Sequence, residues 1–367
     1  SSLFVLGFCF LYLLTRYILS LIYNKDGIVL SYDMVEDSSN NKIIPLVFLF
    51  VVVSFLMCYN LISFSGSIFN TSWSSGRDYS ASLDYANTSQ VNTIIYFSLS
   101  GLPLFLWIKR RYKLALVCLV MIILVTIVTR NRILVLPALI FIISLFVLKI
   151  KKLQMKHVVF AVIAGVAVIY LVYALRVFRH YGTIEVFLRD FDLEKFLNKI
   201  NLYIATDNGE LGLRNDFYFF VQNDNQFNGF GELATYVRML LVYVPTRFSF
   251  GLKPADFAQT MGSAIGMVVG GSTHPTLFGD CYANAGVFGI FLGIFWAFYS
   301  FVADKIILAT KKPLLKTLLF CLFAVTFVII GRGSVYNSFF YVAWGMPALW
   351  LVIGILAKLP NIRIRWK

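Results

Sequence analysis

Nine long apolar runs, separated by polar segments, dominate the pattern of the chain. They span 3–23, 43–64, 91–108, 114–130, 132–148, 157–177, 284–303, 314–331 and 338–357. Each is close to the length of about 20 residues that a helix needs to cross a bilayer. In hydrocarbon only helices or a closed barrel satisfy the backbone, and the sequence lacks the alternating segments of a barrel. The pattern predicts an all-α, polytopic integral membrane protein with about 9–11 transmembrane helices, forming a single transmembrane domain over 1–367.

Composition agrees with this interpretation and excludes several classes of protein. Of the 367 residues, 59% are hydrophobic and only 14% are charged, against roughly 45–50% and about 25% in soluble domains. A soluble enzyme, a nucleic-acid-binding module and a disordered protein are therefore excluded. The five cysteines form no C-x-x-C pair and have no metal-ligand spacing with histidine. We expect neither a metal nor a cofactor.

The net charge of +14 reflects membrane orientation, not nucleic-acid binding. Half of the 32 basic residues lie in the segments 109–113, 149–156, 305–316 and 358–367. The positive-inside rule places all four segments on the cytoplasmic side. Counting crossings also places residues 24–42 there, although this loop carries four acids against two lysines.

The segment 178–283 differs from the other connections in length and in composition. Ten of the 18 acidic residues lie in it between Glu185 and Asp256, and it keeps many aromatic side chains. Its aromatic content argues against disorder. We expect a large loop on the outer, periplasmic side, in which the apolar stretches 233–248 and 257–271 dip into the membrane or form a short re-entrant pair.

Charged and ionisable residues near the outer ends of the apolar runs are the candidates for chemistry. They are Arg130 and Arg132; Arg176 and Arg179; Arg247 and Lys253; His274 and Asp280; and Arg332. Charges near hydrocarbon are costly and therefore often functional. Arginine matches phosphate oxygens with a planar fork, and His or Asp accepts a proton during group transfer. Each of these groups, taken alone, is also explained as a helix anchor, a loop residue or a structural side chain. Together they indicate an anionic, lipid-linked substrate, most simply a pyrophosphate.

Two motifs within 214–295 carry a resemblance to a known family. "VPTRFSFGLKP" begins at Val244, and "STHPTLFGDCYANAGVFG" follows from Ser272. These stretches resemble the Wzy-type O-antigen (oligosaccharide repeat unit) polymerases. "TRNR" at Thr129 and "GRGS" at Gly331 are similar to arginine-bearing positions of the same group. The family often has Glu where Asp280 stands, and it shares its outer His/Arg arrangement with O-antigen ligases.

The resemblance implies a metal-independent, membrane-embedded glycosyltransferase of the C type without a cofactor. Such an enzyme transfers the growing glycan from undecaprenyl pyrophosphate to the non-reducing end of another lipid-linked repeat unit. His274 and Asp280 would be catalytic, and the listed arginines with Lys253 would bind pyrophosphate and glycan. Expected partners are undecaprenyl-pyrophosphate-linked oligosaccharides, membrane lipids and a polysaccharide chain-length regulator, with no nucleic acid. The location would be the bacterial inner membrane, with the active site facing the periplasm.

Two alternatives remain open at the level of the sequence. One is an O-antigen ligase, which attaches glycan to the lipid A core. The other is a flippase or transporter of lipid-linked oligosaccharides, although the chain lacks the self-similar halves typical of transporters. For an enzyme, we expect Arg130, Arg132, Arg176, Arg247 and Arg332 to converge on one cavity with His274 and Asp280 at its rim.

Overall fold

The fold is all-helical, in agreement with the sequence. A computed structural model describes residues 2–23, 43–69, 90–149, 155–181, 183–206, 213–223, 229–266 and 273–358. No strand occurs within these ranges. The α-helices are α1 (Ser2–Tyr23), α2 (Ile43–Ser65), α3 (Gln90–Ser98), α4 (Leu102–Ile108), α5 (Tyr112–Thr129), α6 (Leu136–Lys149), α7 (Met155–His180), α8 (Ile184–Asp190), α9 (Leu193–Ala205), α10 (Leu213–Gln222), α11 (Ala234–Leu240), α12 (Phe257–Ala264), α13 (Thr276–Ala285), α14 (Leu292–Ala309), α15 (Pro313–Arg332) and α16 (Val335–Lys358).

Seven helical stretches in the described part of the chain are long and apolar enough to cross a membrane. They are Ser2–Tyr23, Ile43–Ser65, Gln90–Ile108, Tyr112–Thr129, Thr276–Ala309, Pro313–Arg332 and Val335–Ile355. This set is consistent with a polytopic membrane protein. The predicted span 132–148 corresponds to a shorter apolar helix, Arg132–Val147. The predicted span 157–177 lies in α7, several of whose side chains are outside the described residues, and its crossing stays a prediction.

Contacts between residues divide the chain into two compact units. The first unit comprises Ser1–Val29, Gly209–Lys311 and Thr326–Trp344; the second comprises Leu30–Asn208, Lys312–Val325 and Gly345–Lys367. The predicted outer loop 178–283 therefore contributes to both units, and its described part consists largely of the short helices α8 to α12. Its outward position and the predicted single domain stay predictions, and residues 24–42 and 267–271 lie outside the described ranges.

In the second unit, a break in the span Gln90–Ile108 permits a close helix contact. Gly101 precedes α4, which has a proline in its first turn. A Cβ atom on Gly101 would lie 2.7 Å from the carbonyl oxygen of Thr317 in α15. The hydroxyl of Tyr96, in α3, donates to the carbonyl of Leu134 at 2.7 Å. Backbone packing and a buried hydrogen bond thus fix this part of the second unit.

In the first unit, aromatic side chains from distant parts of the sequence share one core. Phe4 and Phe8 of α1 are buried together with Phe217, Tyr236 and Trp296. Burying a large aromatic side chain contributes about 1.5–3 kcal/mol. Phe217 and Tyr236, two of the aromatic residues of the long segment 178–283, are therefore part of this core.

Helices α1 and α14 pack in parallel within the first unit. The hydroxyl of Tyr12 donates to Ser300 Oγ at 3.0 Å. Four residues further along both helices, Arg16 forms an ion pair with Asp304 at 2.5 Å. Since the contacts advance along both chains in the same direction, Tyr23 and Ala309 lie at the same end of the helix pair.

Parallel packing constrains the number of crossings. If α1 and α14 both span the membrane, the chain must cross it an odd number of times between them. The spans Ile43–Ser65, Gln90–Ile108 and Tyr112–Thr129 already provide an odd number. The runs 132–148 and 157–177 therefore cross together or not at all, and the chain leaves Tyr23 on the same side as the basic segment 305–316, as counting predicts.

Candidate functional site

Two predicted motifs meet at one end of the first unit. Gly333 lies in the turn between α15 and α16 and has φ of +104°. A Cβ atom at this position would lie 2.7 Å from the backbone nitrogen of Thr276 and 3.0 Å from the carbonyl carbon of His274. Only glycine combines this positive φ with such a close approach. The "GRGS" turn, which carries Arg332, therefore rests on the backbone that carries His274.

The contact lies in the half of the membrane-spanning part that is away from the basic segment 305–316. Thr276 begins the stretch Thr276–Ala309, which is interrupted at Gly286, where φ is +57°. Phe278 and Tyr282 of α13 pack on Phe8 and Phe4, so α13 lies beside the first half of α1. Tyr23 and Ala309 lie at the other end of α1 and α14, and Ala309 is within the basic segment.

A small polar cavity opens beside this contact. Its polar lining consists of Thr235, Arg238, Asp256, Asp280, Ser334, Tyr336 and Asn337. The cavity has a volume of about 10 Å³, which is close to the space that one water molecule occupies. It therefore has room for a single oxygen atom, such as that of a water or a hydroxyl group, between a carboxylate and an arginine.

Asp280 is held in this cavity wall by two polar neighbours. Its side chain is buried, with the residue only 2% exposed. Thr235 Oγ1 donates to Asp280 Oδ2 at 3.3 Å, and Asn284 Nδ2 donates to Asp280 Oδ1 at 3.2 Å. Asp280 and Asn284 share one face of α13 because they are four residues apart. The carboxylate orientation is thereby defined before any ligand arrives.

Asn284 also fixes α11 against α13. Its Oδ1 accepts from the backbone nitrogen of Thr235 at 2.9 Å, and its backbone carbonyl accepts from Leu233 at the same distance. The first backbone N–H groups of a helix lack partners within the helix, so this side chain stabilises the start of α11. A single asparagine therefore joins the helix that carries Asp280 to the helix that carries Arg238.

Arg238 is the functional candidate that the sequence prediction missed. Its guanidinium donates to the carbonyl of Pro254 and lies 4.6 Å from the ring centroid of Tyr336. Its Nε is buried and has no hydrogen-bond partner among the described residues. A signal existed in the sequence, because Arg238 is a charge within the apolar stretch 233–248, where charges are costly.

Arg247 and Lys253, two cations that the sequence predicted for the site, do not line the cavity. Arg247 is exposed and lies 5.9 Å from the ring centroid of Phe248. Lys253 Nζ donates to the carbonyl of Val244 at 2.8 Å. Lys253 therefore closes a loop, and the cation in the cavity lining is Arg238.

The segment before His274 is anchored by Thr273. The buried Thr273 hydroxyl donates to Asp216, and the backbone nitrogen of Thr273 donates to the carbonyl of Ala258 at 3.1 Å. Burial raises the pKa of Asp216 above its ordinary value, and the Thr273 hydrogen bond partly offsets this increase. His274 itself is half-buried beneath Gly333, and it is not among the cavity-lining residues.

Arg130 and Arg132 belong to the second unit. Arg130 ends α5 with φ of +52° and is only 2% exposed. Its guanidinium lies 4.6 Å from the ring centroid of Phe178. Arg132 is half-buried at the start of a 3-10 helix that Asn131 caps. Arg130, one of the predicted site residues, is therefore packed against the ring of Phe178 in the second unit.

Arg176 packs on a second ring of the same unit. Its guanidinium lies 5.1 Å from the ring centroid of Tyr203. Phe178 is two residues further along α7, and residues at this spacing do not face each other. Arg176 and Phe178, the residue whose ring Arg130 contacts, therefore project from different faces of α7. The side chains of Arg179 and His180 lie outside the described residues.

The predicted convergence of five arginines stays a prediction. Arg130, Arg132 and Arg176 belong to the second unit, whereas Arg247 and Arg332 belong to the first. What the structure brings together is the Gly331–Ser334 turn, the start of α13 and α11, all within the first unit.

Nothing in the described ranges brings three His, Cys, Asp or Glu side chains together as a metal site. Metal independence nevertheless stays a prediction. No protein-family model, no curated protein and no solved structure matches this chain. The resemblance to Wzy-type polymerases therefore stays a prediction from the sequence.

Proposed function

We propose that this protein is a glycosyltransferase that polymerises lipid-linked oligosaccharide repeat units, as the resemblance to Wzy-type polymerases implies. The observation that carries the proposal is the contact of the Gly333 turn with His274 and Thr276 beside a cavity lined by Asp280 and Arg238. Two motifs named for the family resemblance thus adjoin one polar site at the end of a membrane span.

Glycosyl transfer requires a base, an acceptor hydroxyl and a stabilised leaving group. The acceptor oxygen forms a bond to the anomeric carbon as the bond from that carbon to the pyrophosphate oxygen breaks. The hydroxyl proton passes to a base, for which Asp280 is the best-placed candidate because it lines a cavity the size of one oxygen atom. His274, on the adjoining segment, is the second candidate.

The leaving undecaprenyl pyrophosphate gains negative charge as the glycosidic bond breaks. A preorganised cation lowers the energy of such a transition state. Arg238 has a buried Nε without a partner in the described part of the chain, and Arg332 lies on the turn that touches His274. We assign pyrophosphate binding to these two arginines first. Arg247 and Lys253 are less well placed, because neither lines the cavity.

The proposal includes a location and a topology. The runs 132–148 and 157–177 both cross, which gives nine spans and agrees with the odd number that α1 and α14 require. The segment 178–283 and the cavity then face the periplasm of a bacterial inner membrane. Both lipid-anchored substrates reach the site from the outer leaflet, and a polysaccharide chain-length regulator is the protein partner we expect.

The test is polymer formation by the purified protein in proteoliposomes. Lipid-linked repeat units are added without divalent metal, and products are resolved as a ladder on a gel. General-base catalysis contributes about 10²–10⁴-fold in rate, so Asp280→Asn should reduce the ladder at least about a hundredfold. Asp304→Asn is the matched control, since it removes a carboxylate from the other end of the same Thr276–Ala309 stretch and should keep the ladder.

Three outcomes would contradict the proposal. A full ladder from Asp280→Asn would remove Asp280 from the chemistry. Transfer of a single glycan to lipid A core, without a ladder, would identify a ligase. Movement of lipid-linked oligosaccharide across the bilayer without a new glycosidic bond would identify a flippase.

A further inference from the structure

The turn that follows α11 exposes its apolar side chains and buries a polar one. Ser249 is only 4% exposed, whereas its neighbours Phe248 and Phe250 are 62% and 92% exposed. Leu252 is 71% exposed. In water this arrangement would be unfavourable, because each exposed Phe or Leu forgoes about 1.5–3 kcal/mol of burial. The pattern is that of a surface turned toward an apolar medium.

The conformation of this turn is closed by its own hydrogen bonds. Ser249 Oγ donates to the carbonyl of Thr246, and Lys253 Nζ donates to the carbonyl of Val244, both at 2.8 Å. Phe250 adopts φ of +48°, a left-handed conformation that costs roughly 1–2 kcal/mol for a residue with a Cβ. These bonds hold the large side chains outward in a defined loop.

The turn also lies at some depth along a membrane span. Arg238 of α11 stacks on Tyr336, near the start of α16. Further along, the hydroxyl of Tyr243 donates to the carbonyl of Ala343 at 2.6 Å, and its ring lies 5.1 Å from that of Trp344. From Tyr336 to Ala343 a helix rises about 10 Å, at 1.5 Å per residue.

The chain therefore descends beside α16 from the level of the cavity. It returns to that level soon afterwards, since the carbonyl of Pro254 accepts from Arg238 and Asp256 lines the cavity. Residues 234–256 thus enter and leave on the same side, which is a re-entrant course, and the turn 246–252 is its tip. A re-entrant element was expected for 233–248, whereas the exposed apolar side chains at its tip could not be predicted from the sequence.

We propose that the tip formed by Phe248, Phe250 and Leu252 inserts among the acyl chains of the leaflet on the cavity side. Phe and Leu side chains are among those that favour transfer into the hydrocarbon region. Arg247, whose guanidinium contacts the ring of Phe248, can extend from this depth toward the lipid phosphates while its methylene groups stay in hydrocarbon. The tip thereby holds α11 and the cavity wall against the lipid phase, and this placement is independent of the reaction.

The test places an environment-sensitive fluorophore on the tip. Phe250→Cys is labelled with NBD in a Cys9→Ser background, because the four other native cysteines are buried. The protein is reconstituted in phosphatidylcholine and phosphatidylglycerol vesicles, with and without doxyl-labelled acyl chains. Asn215→Cys is the control, as it is an exposed polar position on α10 of the same unit and lies outside both apolar stretches.

Position 250 should give blue-shifted emission, strong quenching by doxyl lipid and little quenching by aqueous iodide. Position 215 should show the reverse. Water-like emission with iodide quenching at position 250 would overturn the proposal. Blue-shifted emission that doxyl lipid does not quench would overturn it as well, because a protein surface would then cover the tip.

Discussion

Both units contain arginines stacked on aromatic rings, but the surroundings of these arginines differ. In the second unit Arg130 and Arg176 each lie over an aromatic ring. In the first unit Arg238 is also stacked on a ring, but it shares a cavity with Asp256 and Asp280. An arginine near hydrocarbon is thus not sufficient to identify a site. A carboxylate and an accessible cavity next to the arginine are better indicators of a functional site than the ring contact.

The largest expected effect comes from exchanging matched ring-stacked arginines for lysine. Arg238→Lys should lower polymer formation at least about tenfold, because lysine cannot reproduce the planar fork that binds phosphate oxygens. Arg176→Lys should have a smaller effect, since an ammonium group can still lie over the ring of Tyr203. The measurement is the ladder assay in proteoliposomes, normalised to the amount of folded protein.

Equal losses from the two lysine variants would remove the distinction between the units. That result would instead support the predicted role of Arg176 in pyrophosphate binding. Arg189→Lys, at an exposed position of the second unit, serves as the control and should leave the ladder unchanged.

A smaller effect is expected at the turn that joins the two motifs. Gly333→Ala would place a Cβ 2.7 Å from the Thr276 nitrogen at a φ of +104°. Backbone strain of this kind costs about 1–3 kcal/mol, so the melting temperature should fall and the ladder should weaken. Gly331→Ala is the matched control because a Cβ there meets nothing within 4 Å. A Gly333→Ala protein as stable and active as Gly331→Ala would show that this contact does not matter.

The smallest effect is a pair of opposite pH dependences, one in each unit. Burial raises the pKa of Asp216, so folding favours its protonated form, and the stability this provides is lost as pH rises through the raised pKa. Asp216→Asn should therefore gain melting temperature relative to the parent as pH rises above about 4.

For Asp190 the sign is reversed. The hydrogen bond from Arg189 lowers its pKa, so its contribution is present above the unfolded value and is lost as pH falls through the lowered pKa. Asp190→Asn should lose melting temperature relative to the parent as pH rises from about 3 to 5. Thermal unfolding in matched buffers checks both signs, and parallel pH profiles for the two variants would contradict the assignment.

Much of the fold was predictable because the relevant forces act locally along the chain. Runs such as 43–64 and 314–331 contain enough apolar residues to favour the membrane by themselves, and the corresponding helices are Ile43–Ser65 and Pro313–Arg332. The candidate site was predictable only in part. Asp280 lines the cavity and His274 does not, and the roles of both residues stay predictions. Arg238 was overlooked because no nearby sequence feature connects it to a carboxylate.

The sequence by itself determined that this is an all-helical chain with membrane-length apolar segments, since backbone hydrogen bonds and apolar transfer depend on neighbouring residues. Only the tertiary structure decided which segments meet. Asn284 joins α13 to α11 across 49 residues. Gly333 packs the turn between α15 and α16 against the start of α13. Tyr12 and Arg16 align α1 with α14 across 288 residues. Such contacts depend on packing and on polar groups finding partners out of water, and no local pattern encodes them.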